Sequence, residues 1–152
     1  MRAAALALAT CFGVGYVPFA PGTVGSIAGL ALWAMFSNST WAQFGAIALT
    51  FGAGVWAASV AERHFAATDP GPVVIDEVMG MLVTLFLVPV NWAGALLGFG
   101  WFRLFDVIKP YPANRFERLS GGVGVMADDL MAAIYANVAL RATLATWNWV
   151  SG

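Results

Sequence analysis

Apolar stretches follow one another along most of the chain, separated by short polar or proline-containing breaks. They lack the strict alternation of half-buried strands, and backbone groups in lipid must be hydrogen-bonded within each segment, so the stretches are predicted to be helices. Several are shorter than the ~20 residues of a full span, and some are expected to be short or re-entrant. The predicted segments are Ala3–Val17, Val24–Phe36, Trp41–Ala61, Val73–Val88, Trp92–Phe105 and Val125–Val150.

This pattern predicts an all-α fold, a polytopic membrane helical bundle of about five to six helices, in a single membrane-embedded domain over residues 1–152. Threading the segments alternately across a bilayer puts 13 of the 15 Asp, Glu, Lys and Arg residues on one side; only Arg2 and Arg141 fall elsewhere. Because that side collects the basic residues, the positive-inside rule assigns it to the cytoplasm. Three chain segments rich in charge therefore converge at one boundary.

Composition supports lipid as the solvent of much of the surface. Apolar residues make up 61% of the chain and charged residues 10%, whereas soluble domains average about 25% charged residues. Seven tryptophans fit the interfaces of a membrane. The net charge of −1 offers no basic surface for nucleic acid. The oligomeric state is left open.

The first candidate site lies at Pro18–Ser26, where the second apolar segment begins. A helix N-terminus exposes unpaired N–H groups with a partial positive charge, which favours anion binding. Thr23, Gly25 and Ser26 are therefore predicted to contact phosphate. The alternative is ordinary helix capping by a Pro-Gly turn and small hydroxyl residues.

Acidic residues form the second pattern. Asp76-Glu77 and Asp128-Asp129 each stand near the start of an apolar helix, and Asp106 gives a fifth carboxylate. Oxygen-only donors suit Mg²⁺, and no Cys/His cluster supports zinc. Neighbours on a helix point about 100° apart, so one residue of the first pair is expected to bind metal while the other caps. Dipole-favoured capping is the alternative for both pairs.

Cations accompany these acids. Arg103, Asp106 and Lys109 recur every three residues and would share one face of a helix. Arg103 and Lys109 are predicted to grip a phosphate, by a fork and a point charge respectively. Gly122, in a glycine-rich loop before the last helix, is a further predicted phosphate contact. A salt-bridged helix end is the alternative reading of the basic residues.

Together, PGTVGS, the Asp76-Glu77 pair followed by Gly80, FRLFDVIKPYP and GGVGVMADD resemble the bacterial phosphatidylglycerophosphatase A family, over roughly Phe12 to Ala133. Ala133 stands where the family usually has glycine. The resemblance implies a Mg²⁺-dependent phosphatase that converts phosphatidylglycerophosphate to phosphatidylglycerol at the cytoplasmic face of the bacterial inner membrane. It also implies functional roles for all five acids, with the division between metal ligands and base left open.

The hypothesis that follows gives each residue a role. Mg²⁺ is held by Asp128 or Asp129, by Asp76 or Glu77, and by Asp106, while Glu77 or Asp76 takes a proton from water. Arg103 and Lys109 stabilise charge on the phosphoryl group and the leaving oxygen.

Two other classes are weighed against this hypothesis. A cation transporter or channel predicts acids deep within spans or on both sides, whereas here they cluster at one edge. A CDP-alcohol phosphotransferase would require a spaced Asp/Gly/Arg signature that the sequence lacks.

Overall fold

The computed structural model describes residues 1–116, 119 and 121–151, and these residues form helices and connecting turns without a strand. Glu117 and Arg118, which the sequence predicts to be solvated charges in a loop, lie outside the described residues. The all-α prediction is confirmed for the described part of the chain. Its helices are α1 (Arg2–Ala9), α2 (Pro21–Phe36), α3 (Thr40–Phe65), α4 (Ile75–Leu85), α5 (Trp92–Ile108), α6 (Ala113–Phe116) and α7 (Gly122–Ser151), with a short 3-10 turn at Val14–Tyr16.

The first apolar segment is not one helix, contrary to the prediction. α1 ends at Ala9, and the chain then turns through left-handed conformations at Cys11, Phe12 and Gly13. The hydroxyl of Thr10 donates to the Leu6 carbonyl oxygen at 2.9 Å and accepts from the Gly13 N–H at 3.2 Å, which stabilises the turn. An apolar run alone does not reveal this break, because every residue in it is compatible with a helix.

α2 begins three residues earlier than predicted, so the PGTVGS motif forms its first turns instead of preceding them. Pro21 fits the first helical position because its missing N–H would have no helical partner there. The small residues then allow α2 to approach α4. A Cβ on Gly25 would lie 2.8 Å from Val74 Cβ, and one on Gly29 would lie 2.7 Å from Met81 Cβ.

α4 is short and almost entirely buried, with α2, α5 and α7 packed around it. Its C-terminal carbonyls are held by α7. Asn137 Nδ2 donates to the oxygens of Thr84 and Phe86 at 2.9 and 3.0 Å, and Arg141 Nη2 donates to those of Phe86 and Leu87 at 3.1 and 2.7 Å. A cation also suits the negative end of a helix dipole. Arg141 therefore caps the end of α4 that lies opposite its acidic residues.

Arg2 is placed differently from the prediction. Its guanidinium donates to Nδ1 of His64 at the C-terminal end of α3, and Val74 N–H donates to the Ala9 carbonyl at the other end of α1. Both ends of α1 therefore lie near the charged segments, and Arg2 joins the other charges instead of standing apart. A helix of eight residues is about 12 Å long, too short to carry Arg2 across a bilayer.

Among the described residues, α3 and the Gly122–Trp147 part of α7 are long and apolar enough to cross a membrane. α2 is apolar but shorter, with 16 residues. Large apolar side chains remain exposed on the helices, including Phe44 and Leu49 on α3 and Leu96 on α5. Surfaces of this kind are typical of association with lipid.

Candidate metal and phosphate site

Three carboxylates from two helices meet at the N-terminal end of α4. Asp76, Glu77 and Asp129 each place one oxygen within 4.8 Å of the others. Each has a buried oxygen that accepts no hydrogen bond from the part of the chain that the structure describes: Asp76 Oδ1, Glu77 Oε2 and Asp129 Oδ2. Buried carboxylate oxygens without a donor are costly, and a cation bound between them would satisfy all three. This acid cluster is a candidate site for an oxygen-preferring divalent metal.

The expectation that Asp76 and Glu77 could not aim at one point is wrong. Both contribute an oxygen to the acid cluster, although they are neighbours on α4. The 100° rule describes where Cα–Cβ bonds point, whereas the longer side chain of Glu77 can bend back towards Asp76. The α7 helix completes the acid cluster with Asp129, which is 3% exposed.

Arg103 lies beside the acid cluster and joins three helices. Its Nη1 is 2.6 Å from Asp106 Oδ2, 4.0 Å from Glu77 Oε1 and 3.4 Å from Ser26 Oγ. The i,i+3 spacing on α5 explains the close pair with Asp106. Because only one of the guanidinium nitrogens makes these contacts, the other N–H groups can donate to a bound anion.

Lys109 does not continue the face of Arg103 and Asp106, contrary to the shared-face prediction. It ends α5 with a left-handed backbone (φ 44°), and its N–H donates to the Phe105 carbonyl. Its ammonium contacts Asp128 Oδ2 instead. Burial lowers the pKa of Lys109, but the hydrogen bond and the negative charge of Asp128 outweigh burial, so the pKa is raised and the ammonium stays charged.

The five predicted metal ligands therefore divide into two groups. Asp76, Glu77 and Asp129 form the acid cluster, whereas Asp106 and Asp128 are each paired with a cation. Ion pairing fixes the orientation of a carboxylate. The structure thus brings all four sequence motifs together. It gives the adjacent acids Asp128 and Asp129 of α7 different partners.

The predicted phosphate contacts on α2 are also close to the acid cluster. Ser26 is fully buried, and its hydroxyl donates to the Gly22 carbonyl at 2.8 Å while accepting from Arg103. Gly25 is buried against Val74, and Thr23 is half-buried with its N–H on the Ala20 carbonyl. Ser26 thus orients Arg103, and phosphate binding by these residues stays a prediction.

Gly122 lies against α3. Its N–H donates to Ser59 Oγ at 2.8 Å, and an added Cβ would lie 2.0 Å from the Val55 carbonyl oxygen. Close helix packing therefore accounts for this glycine, and its predicted role in phosphate binding stays a prediction with its amide already engaged.

Sequence reasoning missed the position of Gly22. A Cβ at this residue would lie 2.2 Å from Glu77 Oε1 and 3.2 Å from Arg103 Nη1. The glycine therefore leaves the space in which an acid of α4 and a cation of α5 meet. Its place in a proline-glycine turn motif gave no sign of this contact.

Comparison with known proteins agrees with these motifs. The sequence profile of the phosphatidylglycerophosphatase A family matches residues 7–144. A Bacteroides thetaiotaomicron protein with the provisional name phosphatidylinositol-3-phosphatase is 36% identical, over 95% of this chain and 94% of its own length. Proteins named phosphatidylglycerophosphatase A from Escherichia coli and Haemophilus influenzae are 35% and 37% identical, over 84% and 89% of this chain and 76% and 85% of their own lengths.

No solved structure matches the chain. The family profile covers most of the sequence, and all three relatives exceed the identity at which a shared family is secure. This chain therefore belongs to the phosphatidylglycerophosphatase A family and is a phosphomonoester phosphatase.

Proposed function

We propose that this phosphatase removes the terminal phosphate of phosphatidylglycerophosphate, giving phosphatidylglycerol and inorganic phosphate, with Mg²⁺ as its cofactor. Family membership and the names of two relatives support the substrate. The observation that carries the metal is the acid cluster: its three carboxylates each place one oxygen within 4.8 Å of the others, and each has a buried oxygen without a hydrogen-bond donor among the described residues. An all-oxygen donor set of this kind fits Mg²⁺.

Asp76, Glu77 and Asp129 would hold the ion. When bound, Mg²⁺ supplies charge neutralisation at phosphate oxygens and lowers the pKa of a coordinated water. Asp106 and Asp128 contribute negative charge nearby and orient Arg103 and Lys109 through their ion pairs.

The cations of the site act on the phosphoryl group. Arg103 donates hydrogen bonds to phosphate oxygens from the nitrogens that Asp106 and Ser26 leave available. Lys109 supplies a fixed positive charge for the oxyanion of the leaving group. Both are held by the protein before substrate arrives, which is how preorganised electrostatics lowers a barrier. Glu77 or Asp76 takes the proton of the attacking water.

The proposed setting is the cytoplasmic membrane of a bacterium, with several helices crossing and the acid cluster facing the cytoplasm. α3 and α7 have the length and apolar surface for crossing. The end of α5 beside the site carries exposed Leu104, Val107 and Ile108. These side chains would contact lipid tails while the head group enters the acid cluster, because a membrane-borne substrate keeps its tails in the bilayer.

Family membership does not favour a cation transporter or a CDP-alcohol phosphotransferase. A phosphatidylinositol phosphate is a second candidate substrate, because one relative with 36% identity is named for that activity. The identities of the differently named relatives are nearly equal, so substrate preference must be measured.

The test measures phosphate release by purified protein in detergent micelles containing phosphatidylglycerophosphate or phosphatidylinositol 3-phosphate, with Mg²⁺ or with chelator. We expect Mg²⁺-dependent release from phosphatidylglycerophosphate, with little release from the inositol lipid. Equal turnover in chelator would refute the metal, and faster turnover of the inositol lipid would refute the substrate. Glu62→Gln should keep this activity and its Mg²⁺ dependence, since Glu62 lies on α3 outside the acid cluster.

A further inference from the structure

A pocket lies between the start of α1 and the end of α3, and it shares no residue with the acid cluster. Its volume is about 440 Å³. Among the described residues, its lining has two arginines and a histidine and no acid. We call it the α1–α3 pocket, and it is lined by Met1, Arg2, Trp56, Val60, Arg63 and His64.

The charged groups of the α1–α3 pocket are all of one sign. Arg2 donates a hydrogen bond to His64 Nδ1, which must act as the acceptor because a guanidinium has only donors. Arg63 lines the same space, and the side chains of all three residues are exposed. Because the described residues that line this pocket carry positive charge and no negative charge, the pocket would favour a bound anion.

The apolar part of the pocket lies along one face of α3. Trp56, Val60 and His64 are spaced four residues apart and so share that face. Eight residues of helix place Trp56 about 12 Å from His64 along the axis. Trp56 is 44% exposed. The pocket therefore presents cations at the end of α3 and an apolar, Trp-lined groove deeper along the helix.

We propose that the α1–α3 pocket binds an anionic phospholipid of the cytoplasmic leaflet, with its phosphodiester at Arg2 and Arg63 and its glycerol and upper acyl chain along Val60 and Trp56. The proposal rests on the membrane setting proposed above, but not on the phosphatase chemistry. Charge complementarity selects the occupant, since basic residues at the inner surface attract anionic lipids and Trp favours the head-group region. A zwitterionic lipid has the same phosphodiester but adds an ammonium group, which the two arginines repel.

The test uses quenching of tryptophan fluorescence in detergent micelles containing brominated phosphatidylglycerol or brominated phosphatidylcholine. The difference between the wild-type protein and Trp56→Phe isolates the signal of Trp56. We expect half-maximal quenching of Trp56 at a several-fold lower mole fraction of the anionic lipid. Arg2→Gln or Arg63→Gln should each weaken that preference about fivefold, the loss expected for one basic residue at an anionic surface.

Arg115→Gln is the matched control, because Arg115 is an exposed cation outside the pocket, stacked over Tyr111. It should leave the preference unchanged. Equal quenching by both lipids in the wild-type protein, or an unchanged preference in Arg63→Gln, would overturn the proposal. Relief of quenching by inorganic phosphate, but not by chloride at equal ionic strength, would also overturn it and assign the pocket to free phosphate. Phosphate release from substrate by each variant reports folding separately.

Discussion

The ammonium of Lys109 is hydrogen-bonded to the carboxylate of Asp128, which joins the end of α5 to the second turn of α7. Asp129, the next residue, turns instead to Asp76 and Glu77. Two adjacent acids of identical chemistry therefore have different partners: Asp128 holds a cation of the protein, and Asp129 faces the place proposed for the metal.

This difference predicts distinct effects for Asp129→Asn and Asp128→Asn. Asp129→Asn removes one of three charges from the acid cluster, so the Mg²⁺ concentration for half-maximal activity should rise by roughly 100-fold. Asp128→Asn leaves Lys109 with a weaker partner and should lower the free energy of unfolding by about 2 kcal/mol. Titration of activity with Mg²⁺ and thermal unfolding distinguish them. A wild-type Mg²⁺ requirement in Asp129→Asn would remove this residue from the ligand set.

Gly22→Ala should impair the site without unfolding the protein. Its new Cβ would lie 2.2 Å from Glu77 Oε1, the end of a side chain that can move away. We expect a loss of activity of at least roughly tenfold, because misplaced catalytic groups react slowly, with little change in thermal midpoint. Gly52→Ala is the control, since a Cβ there meets nothing within 4 Å. Unchanged activity in Gly22→Ala would show that Glu77 tolerates displacement.

Gly122→Ala should act on stability. The Cβ would lie 2.0 Å from the Val55 backbone oxygen, and backbone cannot move aside as a side chain can. Separating α3 from α7 should cost about 1–3 kcal/mol, as overpacking does. Gly100→Ala, where a Cβ has open space, should melt as the wild-type protein does. If Gly122→Ala melts normally but needs more lipid substrate, the phosphate-binding role predicted from the sequence would be supported.

Cys11 should react slowly with thiol reagents. Burial, and then the negative charge of Glu77, raise the pKa of Cys11 to about 11. A raised pKa means less thiolate at a given pH, so alkylation by iodoacetamide at pH 8 should be roughly 100-fold slower than in the denatured protein. The rate should continue to rise with pH well past 9. Equal rates in folded and denatured protein would contradict the burial of this thiol.

Much of the fold could be predicted from the sequence because long apolar segments allow few structures in lipid. The centres of α2, α3, α5 and α7 follow from that rule. The break after Ala9 does not, because it depends on the Thr10 hydroxyl and on positive φ angles at residues without an obvious turn signal. The early end of α4 depends on side chains of α7 that lie more than 50 residues away.

For the site, sequence motifs pointed to acids and cations that the structure brings together, but not to their pairing. Regular helix geometry predicts the Arg103–Asp106 pair, and the structure has it. The same geometry fails for Lys109, which leaves the helix with a left-handed backbone. It fails for Glu77 too, because side-chain length can overcome the angle between neighbouring positions. Tertiary contacts decide both cases.

The register of α4 against α7 has a consequence for the uptake of the proposed Mg²⁺. Asp76 lies beside Asp129 at one end, and Thr84 lies beside Asn137 at the other. Eight residues separate the two contacts on α4, and eight residues separate them on α7. The two helices therefore run in parallel, and the hydrogen bonds of Asn137 hold their register, so a slide by one turn would separate Asp129 from Asp76. The three carboxylates are therefore in place before any lipid arrives, so we expect Mg²⁺ to bind the protein in the absence of lipid.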